Sequence, residues 1–332
     1  MNKIVFALML IATVILGVAA QQAPAPAPAA ATPAPPARSA SGADISWAFA
    51  STNGALTPEP PTTVNSVTGS TKTYLRSQID DLLNPPDWFP NEHPPAPSIV
   101  TKGHDAALAC GACHLMSGLG HPESADLAGL PAEYLRRTMM DFKNGSRLEV
   151  NRMNTISKAM SDEEIKQASD WFASLKAVPF TQVKESATAP KTFVGGGRMR
   201  YAAPEGGTEP LGNRVITLPQ DQSRVTKRDP HSGFVAYVPV GSIKKGEALV
   251  KNGGNGRTVA CAICHGDTLK GLGNVPAIAG RHPSYMARQL YMFKDGRRNG
   301  GDAQLMKKPV AQLTDDDILN IVAYLASLDP TK

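Results

Sequence analysis

The 332-residue chain is short of charge and of aromatic side chains: Asp, Glu, Lys and Arg make up 19% and Phe, Trp and Tyr 6%. With 42% hydrophobic residues it has too little charge for wholesale disorder and enough apolar material for real cores. No run of Lys or Arg lies behind the net charge of +5, so composition makes no case for nucleic acid. The glycine cluster Gly195-Gly196-Gly197 follows no strand of a βαβ unit and lacks the remaining phosphate-loop spacing, which removes a nucleotide site. The 29 glycines and 28 prolines stay below the low-complexity range, but the prolines cluster, so globular modules should alternate with extended segments. At roughly 150 residues per domain the length allows about two domains with connectors.

Met1 to Ala20 places Lys3 before the apolar run Ile4 to Val18 and closes on Val18-Ala19-Ala20, the layout of an export signal peptide. A retained anchor is the alternative, and the absence of cysteine near the junction excludes a lipoprotein. Residues 21–40 form an Ala/Pro-rich linker of polyproline II character. The expected location is periplasmic or secreted, with membrane contact only if the leader is kept.

Only four cysteines are present, and an exported protein would ordinarily spend them on disulfides. All four instead fall in Cys110-Gly111-Ala112-Cys113-His114 and Cys261-Ala262-Ile263-Cys264-His265, each of the form C-x-x-C-H, the attachment signature of c-type haem. Two thiols one helical turn apart suit thioethers to both vinyl groups of one porphyrin, with the adjacent histidine held beneath the iron. A thioredoxin-like dithiol or half a zinc site are the competing readings. The adjoining histidine and the duplication weigh against both. Counted from the first cysteine, Gly129 and Gly280, Tyr134 and Tyr285, Phe142 and Phe293, and Arg147 and Arg298 fall at matching offsets. Met153 and Met306 each stand eight residues before a Ser/Thr-Asp helix start, where Ser161 with Glu164 and Thr314 with Asp317 read as capping boxes. Ile165 with Ile318, Trp171 with Tyr324, and Leu175 with Leu328 extend the register, making an internal repeat.

These residues, with Leu127-Ala128-Gly129 or Ile278-Ala279-Gly280 and Phe142-Lys143-Asn144-Gly145 or Phe293-Lys294-Asp295-Gly296, resemble the class I cytochromes c, and more closely the tandem di-haem cytochromes c4. The resemblance covers roughly 99–178 and 240–332, about half the chain. It departs from the family in a longer insert between the units and in a weakly marked pre-haem helix in the first. The implied fold is mainly α: two class I helical domains in tandem, at 99–180 and 240–332. Residues 41–98 would be a Pro-rich extension packing on the first domain, and 181–239 a loop-rich, partly β insert without a clear helix. Val215 to Leu218 and Phe234 to Val238 read as its strands, and Tyr74 to Leu83 as a short helix in the extension.

The resemblance implies two covalently bound haem c groups attached at Cys110, Cys113, Cys261 and Cys264. His114 and His265 would be proximal iron ligands and Met153 and Met306 distal ones. Iron ligated on both faces has no open site for oxygen or peroxide and passes single electrons, so no catalytic residue is expected. Met139, Met140, Met160, Met286 and Met292 read as core filling. His93, His104, His121, His231 and His282 read as surface or loop histidines, with His121 the nearest rival ligand. Tyr134, Phe142, Trp171, Tyr285, Phe293 and Tyr324 read as packing around the haems.

The expected function is a periplasmic electron relay from a quinol-oxidising complex or dehydrogenase to a terminal oxidase or reductase. The alternatives are a di-haem peroxidase-like enzyme, which needs an opened iron, and a cytochrome subunit of a periplasmic dehydrogenase complex.

Overall fold

The computed structural model describes residues 38–149 and 152–332, so the leader and most of the Ala/Pro linker fall outside it. After the linker an extended arm carries one two-residue antiparallel pairing, β1 (Val64–Asn65) with β2 (Tyr74–Leu75), and a single helical turn, α1 (Arg76–Ile79). The helix expected over Tyr74 to Leu83 is confined to that turn. It ends at Asp80, and Asn84-Pro85-Pro86 a few residues on prevents any helix from resuming there.

The first unit comprises α2 (Ser98–Thr101), α3 (Gly111–His114), α4 (Ala132–Asn144), α5 (Met153–Ala159) and α6 (Asp162–Ser174). Its pre-motif helix is the four-residue α2. The insert follows, with β3 (Thr181–Glu185), β4 (Thr188–Pro190), β5 (Thr192–Val194), β6 (Arg200–Ala202), β7 (Thr208–Pro210), β8 (Ile216–Pro219), the short helix α7 (Gln222–Thr226) and β9 (Phe234–Val238). Strand β9 pairs in parallel with β3 and antiparallel with β8, and β4–β7 and β5–β6 are separate antiparallel pairs. The strand read at 234–238 is present as β9, and its side chains alternate: Phe234, Ala236 and Val238 are buried while Val235 and Tyr237 are half-buried. Helix α7 was not foreseen, because Asp221 caps five residues with no apolar periodicity of their own.

The second unit comprises α8 (Ser242–Asn252), α9 (Ala262–His265), α10 (Pro283–Lys294), α11 (Gln304–Ala311) and α12 (Asp315–Ser327). Helix α8 lies along α12, where Gly246 meets the Asn320 backbone so closely that no side chain would fit. Both anticipated capping boxes are formed, Ser161 with Glu164 at the start of α6 and Thr314 with Asp317 at the start of α12. The repeat holds in three dimensions: Gly129 and Gly280 have φ of +70° and +71°, and their amides donate to Phe172 O (3.1 Å) and Leu325 O (2.8 Å) near the ends of the closing helices.

The arm is divided between the units, where the sequence reading assigned 41–98 to the first alone. Ile45, Trp47, Ala48 and Phe49 are buried in the core of the second unit, among Leu249, Tyr291, Ile318 and Val322. Further along, Pro94 O accepts from Trp171 Nε1 (3.1 Å), so the end of the arm rests on the first unit. Between these stretches Val67, Ile79 and Trp88 make a small core of their own. Among the described residues no helix is long and apolar enough to cross a membrane.

Candidate cofactor sites

In the first unit Cys110, Cys113, His114 and Met153 line one cleft whose unfilled space, its solvent-open mouth included, is about 1200 Å³. Leu127, Leu135, Phe142, Ile156, Ala168 and Phe172 make its walls apolar. Met139, Met160 and Met292, read above as core filling, also reach the cleft. Met153 differs from them in standing at the first position of its helix.

Each motif forms one helical turn that begins at its first cysteine, which brings the histidine under the thiols. The two histidines are oriented identically. His114 Nδ1 donates to Ala125 O (2.7 Å) and His265 Nδ1 to Pro276 O (2.8 Å), in each case eleven residues on. A proton fixed on Nδ1 leaves Nε2 as the basic nitrogen, the arrangement that holds and tunes an iron ligand. Burial keeps both imidazoles neutral by lowering their pKa.

The thiols are free, and burial pushes Cys110 up to about 12 and Cys261 up to about 11. Protonated, apolar thiols of this kind are unsuited to thioredoxin-like exchange, which depends on a depressed thiol pKa. Among the described residues no group of three or more His, Cys, Asp and Glu side chains converges as a bare metal site requires.

The cleft is completed by the second unit. Tyr285, Arg288, Gln289 and Met292 of α10 line it, and Arg288 pairs with the buried Glu123 from the opposite wall. Burial raises the Glu123 carboxyl to about 7 against the pull of Arg288. Arg147, 3% exposed, donates through Nη2 to Tyr285 OH (3.0 Å) and Gln289 Oε1 (2.6 Å) and stacks over Phe142. Its Nε is buried without a partner among the described residues. A buried guanidinium with an orphaned N–H in an apolar cleft suits the carboxylate edge of a planar, otherwise apolar group. The donor set, the paired thiols and this orphan together fit a haem.

The repeat explains a feature missed when each unit is read alone. Arg298, the counterpart of Arg147, stacks over Phe293 and donates to Tyr134 OH (2.9 Å), so each arginine crosses to the tyrosine of the other unit. The two arginines face each other in an antiparallel bridge. Their shared offset was the available signal. Tyr134 and Tyr285 therefore do more than pack.

In the second unit Cys261 and Met306 pack against the core and His265 is buried, while Cys264 is exposed. Met306 is the third residue of α11, within its first turn. The remaining histidines have other partners: His93 with Asp87, His104 with Glu164, and His231 with Glu92. His121 sits in a tight loop with Ser124, and burial holds its pKa well below the usual range. His282 departs from the surface reading: it is 1% exposed and joins Thr181 Oγ1 to Leu119 O, linking the insert and the two units.

The cytochrome c family model matches residues 243–329. Cytochrome c-554(548) of Halomonas halodenitrificans is 35% identical over 75 residues, which is 22% of this chain and 90% of that protein. Cytochrome c4 of Pseudomonas aeruginosa is 26% identical over 234 residues, covering 69% of this chain and 88% of the relative. A thiosulfate dehydrogenase electron acceptor of Thiomonas intermedia is 25% identical over 244 residues, covering 71% and 87%. With the duplicated motif and the shared site geometry, these matches place the chain in the cytochrome c family, as a di-haem class I member of the cytochrome c4 type that carries two covalent haem c groups and transfers electrons.

Proposed function

We propose that Cys110 and Cys113 bind the first haem and Cys261 and Cys264 the second, that His114 and His265 are the proximal iron ligands, and that Met153 and Met306 are the distal ones. The observation that carries this is the repetition of one arrangement: a motif turn, a histidine locked through Nδ1 to the carbonyl eleven residues on, and a methionine helix ahead of a capped closing helix. When bound, each haem supplies a one-electron Fe(II)/Fe(III) couple. The chain's own part is to hold the imidazole in one tautomer, to exclude water with apolar walls, and to place Arg147 and Arg288 beside the first group. A thioether on the distal face favours the reduced state.

The protein then works as an electron relay in the periplasm or outside the cell, between a quinol-oxidising complex or dehydrogenase and a terminal oxidase or reductase. The domain boundaries read from the sequence, 99–180 and 240–332, serve as the two haem domains. A role as the cytochrome subunit of a dehydrogenase is the second reading, supported by the relative named as a thiosulfate dehydrogenase electron acceptor. Isolation from native cells distinguishes them, as a lone chain or as a stable complex with a catalytic partner.

The ligand assignment is tested by redox titration with visible spectra of the wild type, Met153→Ala and Met306→Ala. Each substitution should alter one haem's spectrum and lower its potential, and the unaltered reduced protein should not bind carbon monoxide. Unchanged spectra in both variants would overturn the methionine assignment. Stoichiometric carbon monoxide binding would favour the peroxidase-like alternative.

A further inference from the structure

Positions related by the repeat differ sharply in exposure. Ile263, inside the second motif, is 70% exposed, whereas its counterpart Ala112 is 1% exposed. Cys264 is exposed and Cys113 half-buried. In the loop after each motif Leu272 is 61% exposed, while its counterpart His121 is drawn into the contact between the units. Beside Met306, Leu305 is 75% exposed. Leucine and isoleucine side chains are costly to leave in water, by about 1.5–3 kcal/mol each. Three of them stand on the three segments that converge on the second haem site: the motif, the loop after it and α11.

The first motif is covered by segments that have no counterpart in the second unit. Arg228 of the insert donates to Ala112 O through Nη1 and to Ile79 O of the arm through Nε (2.8 Å). It does so from a left-handed backbone, φ +60°, that a non-glycine residue adopts only when its surroundings hold it there. Next to it Lys227 O accepts from Trp88 Nε1 of the arm (2.8 Å), and Pro85 lies over Gly111. Arm and insert thus form a fastened cover over the first motif. The second motif has no such cover among the described residues.

The open face is also charged. Lys270 lies two residues before Leu272, and Lys307 and Lys308 follow Met306 on α11; all three are exposed and none is in an ion pair among the described residues. Asp267 is the one carboxylate on the same segments.

We propose that the second centre is the only port at which a redox protein docks, that the docking protein presents an apolar patch rimmed by carboxylates, and that the first centre, whose motif the arm and insert cover, is a store filled and emptied through the second. One donor is oxidised by one electron and reduces the second iron; that electron passes to the first iron, and a second donor refills the port. This rests on the two-haem electron-transfer reading given above.

The test is stopped-flow reduction of the oxidised two-haem protein at low ionic strength, with reduced flavodoxin, an acidic flavoprotein, as the donor. The variants are Ile263→Glu with Leu272→Glu, and separately Leu305→Glu on a different helix. Each should slow the whole haem absorbance change at least tenfold, both haems together, since both fill through one face. Reduction by dithionite should stay within twofold, which separates lost docking from lost folding. The proposal is overturned if half of the amplitude keeps the wild-type rate, because the first haem would then accept electrons directly, or if both variants react with flavodoxin at the wild-type rate. Haem content and carbon monoxide binding are measured on the same samples. Fewer than two haems or an open iron would defeat the underlying reading, whereas a failed rate prediction in a sound two-haem sample defeats the port alone.

Discussion

Replacing Tyr285 with Phe removes one hydroxyl and leaves the ring in place. The loss falls on Arg147, which is almost fully buried and has two polar partners in the other unit, Tyr285 OH at 3.0 Å and Gln289 Oε1 at 2.6 Å. A hydrogen bond to a charged group contributes about 1.5–3 kcal/mol, and the upper half of that range applies when the stranded N–H has no water to turn to. The mirror substitution Tyr134→Phe strands Arg298, which is only half-buried and keeps Gln289 at 3.2 Å, so about 0.5–1.5 kcal/mol is expected. Unfolding entropy of about 2.1 cal/mol/K per residue over roughly 300 residues converts 1 kcal/mol to about 1.6 °C. The expected falls in Tm are therefore about 3–5 °C for Tyr285→Phe and about 1–2 °C for Tyr134→Phe. Guanidinium and thermal unfolding of the holo-protein, followed by far-UV circular dichroism, measure both. If Tyr134→Phe costs as much as Tyr285→Phe, burial of Arg147 is not what sets the strength of the crossed contacts.

Trp47→Ala should cost about 3–5 kcal/mol, as for other fully buried large side chains; a loss below 1 kcal/mol in denaturant titration would show that the arm is not part of the second core. Gly280→Ala should destabilise by about 2–4 kcal/mol, since its φ of +71° is strained for alanine and a Cβ would sit 2.6 Å from Pro330 Cδ. Gly129→Ala, whose nearest contact would be 3.3 Å, should cost only the backbone strain of about 1–2 kcal/mol, and equal losses in thermal unfolding would refute the steric part. The hydrogen bond to Glu164 raises the pKa of the exposed His104. A folded pKa above the unfolded value of about 6.5 means that its contribution is complete below that pH and is lost as pH rises through the folded value. His104→Gln should flatten the fall in stability over that window, and an unchanged pH profile would discount the pair.

What was legible in the sequence was what the chain encodes locally. The motif turns need only five residues, the capping boxes four, and β9 a five-residue apolar stretch, and each was found where the sequence placed it. The contacts that unite the molecule join residues more than a hundred positions apart and leave no local period. Arg147 and Arg298 were visible as matched offsets, yet nothing in one unit shows that each arginine serves the tyrosine of the other. Trp47 lies in a stretch without helical or strand periodicity, so its apolar bulk signalled burial but not which core receives it. Arg228 reads as an ordinary loop cation, and its role follows only from the backbone carbonyls that the fold brings to it. Helix α2 was faint in the sequence because it is a single turn, stabilised by its neighbours and not by its own residues.

The parallel pairing of β3 with β9 sets Glu185 beside Val238. Neighbouring strands lie about 4.8 Å apart, so the chain returns from its excursion to within one strand spacing of where it left. Residues 186–237 are a detour with adjacent entrance and exit, and one or two residues would bridge the gap in their place. The two haem units need not have been pushed apart for the extra polypeptide to arise. Material that covers the first motif through Arg228 thus enters and leaves the fold at adjacent points, while Val215, Phe234 and Ala236 within it are buried against the rest of the molecule.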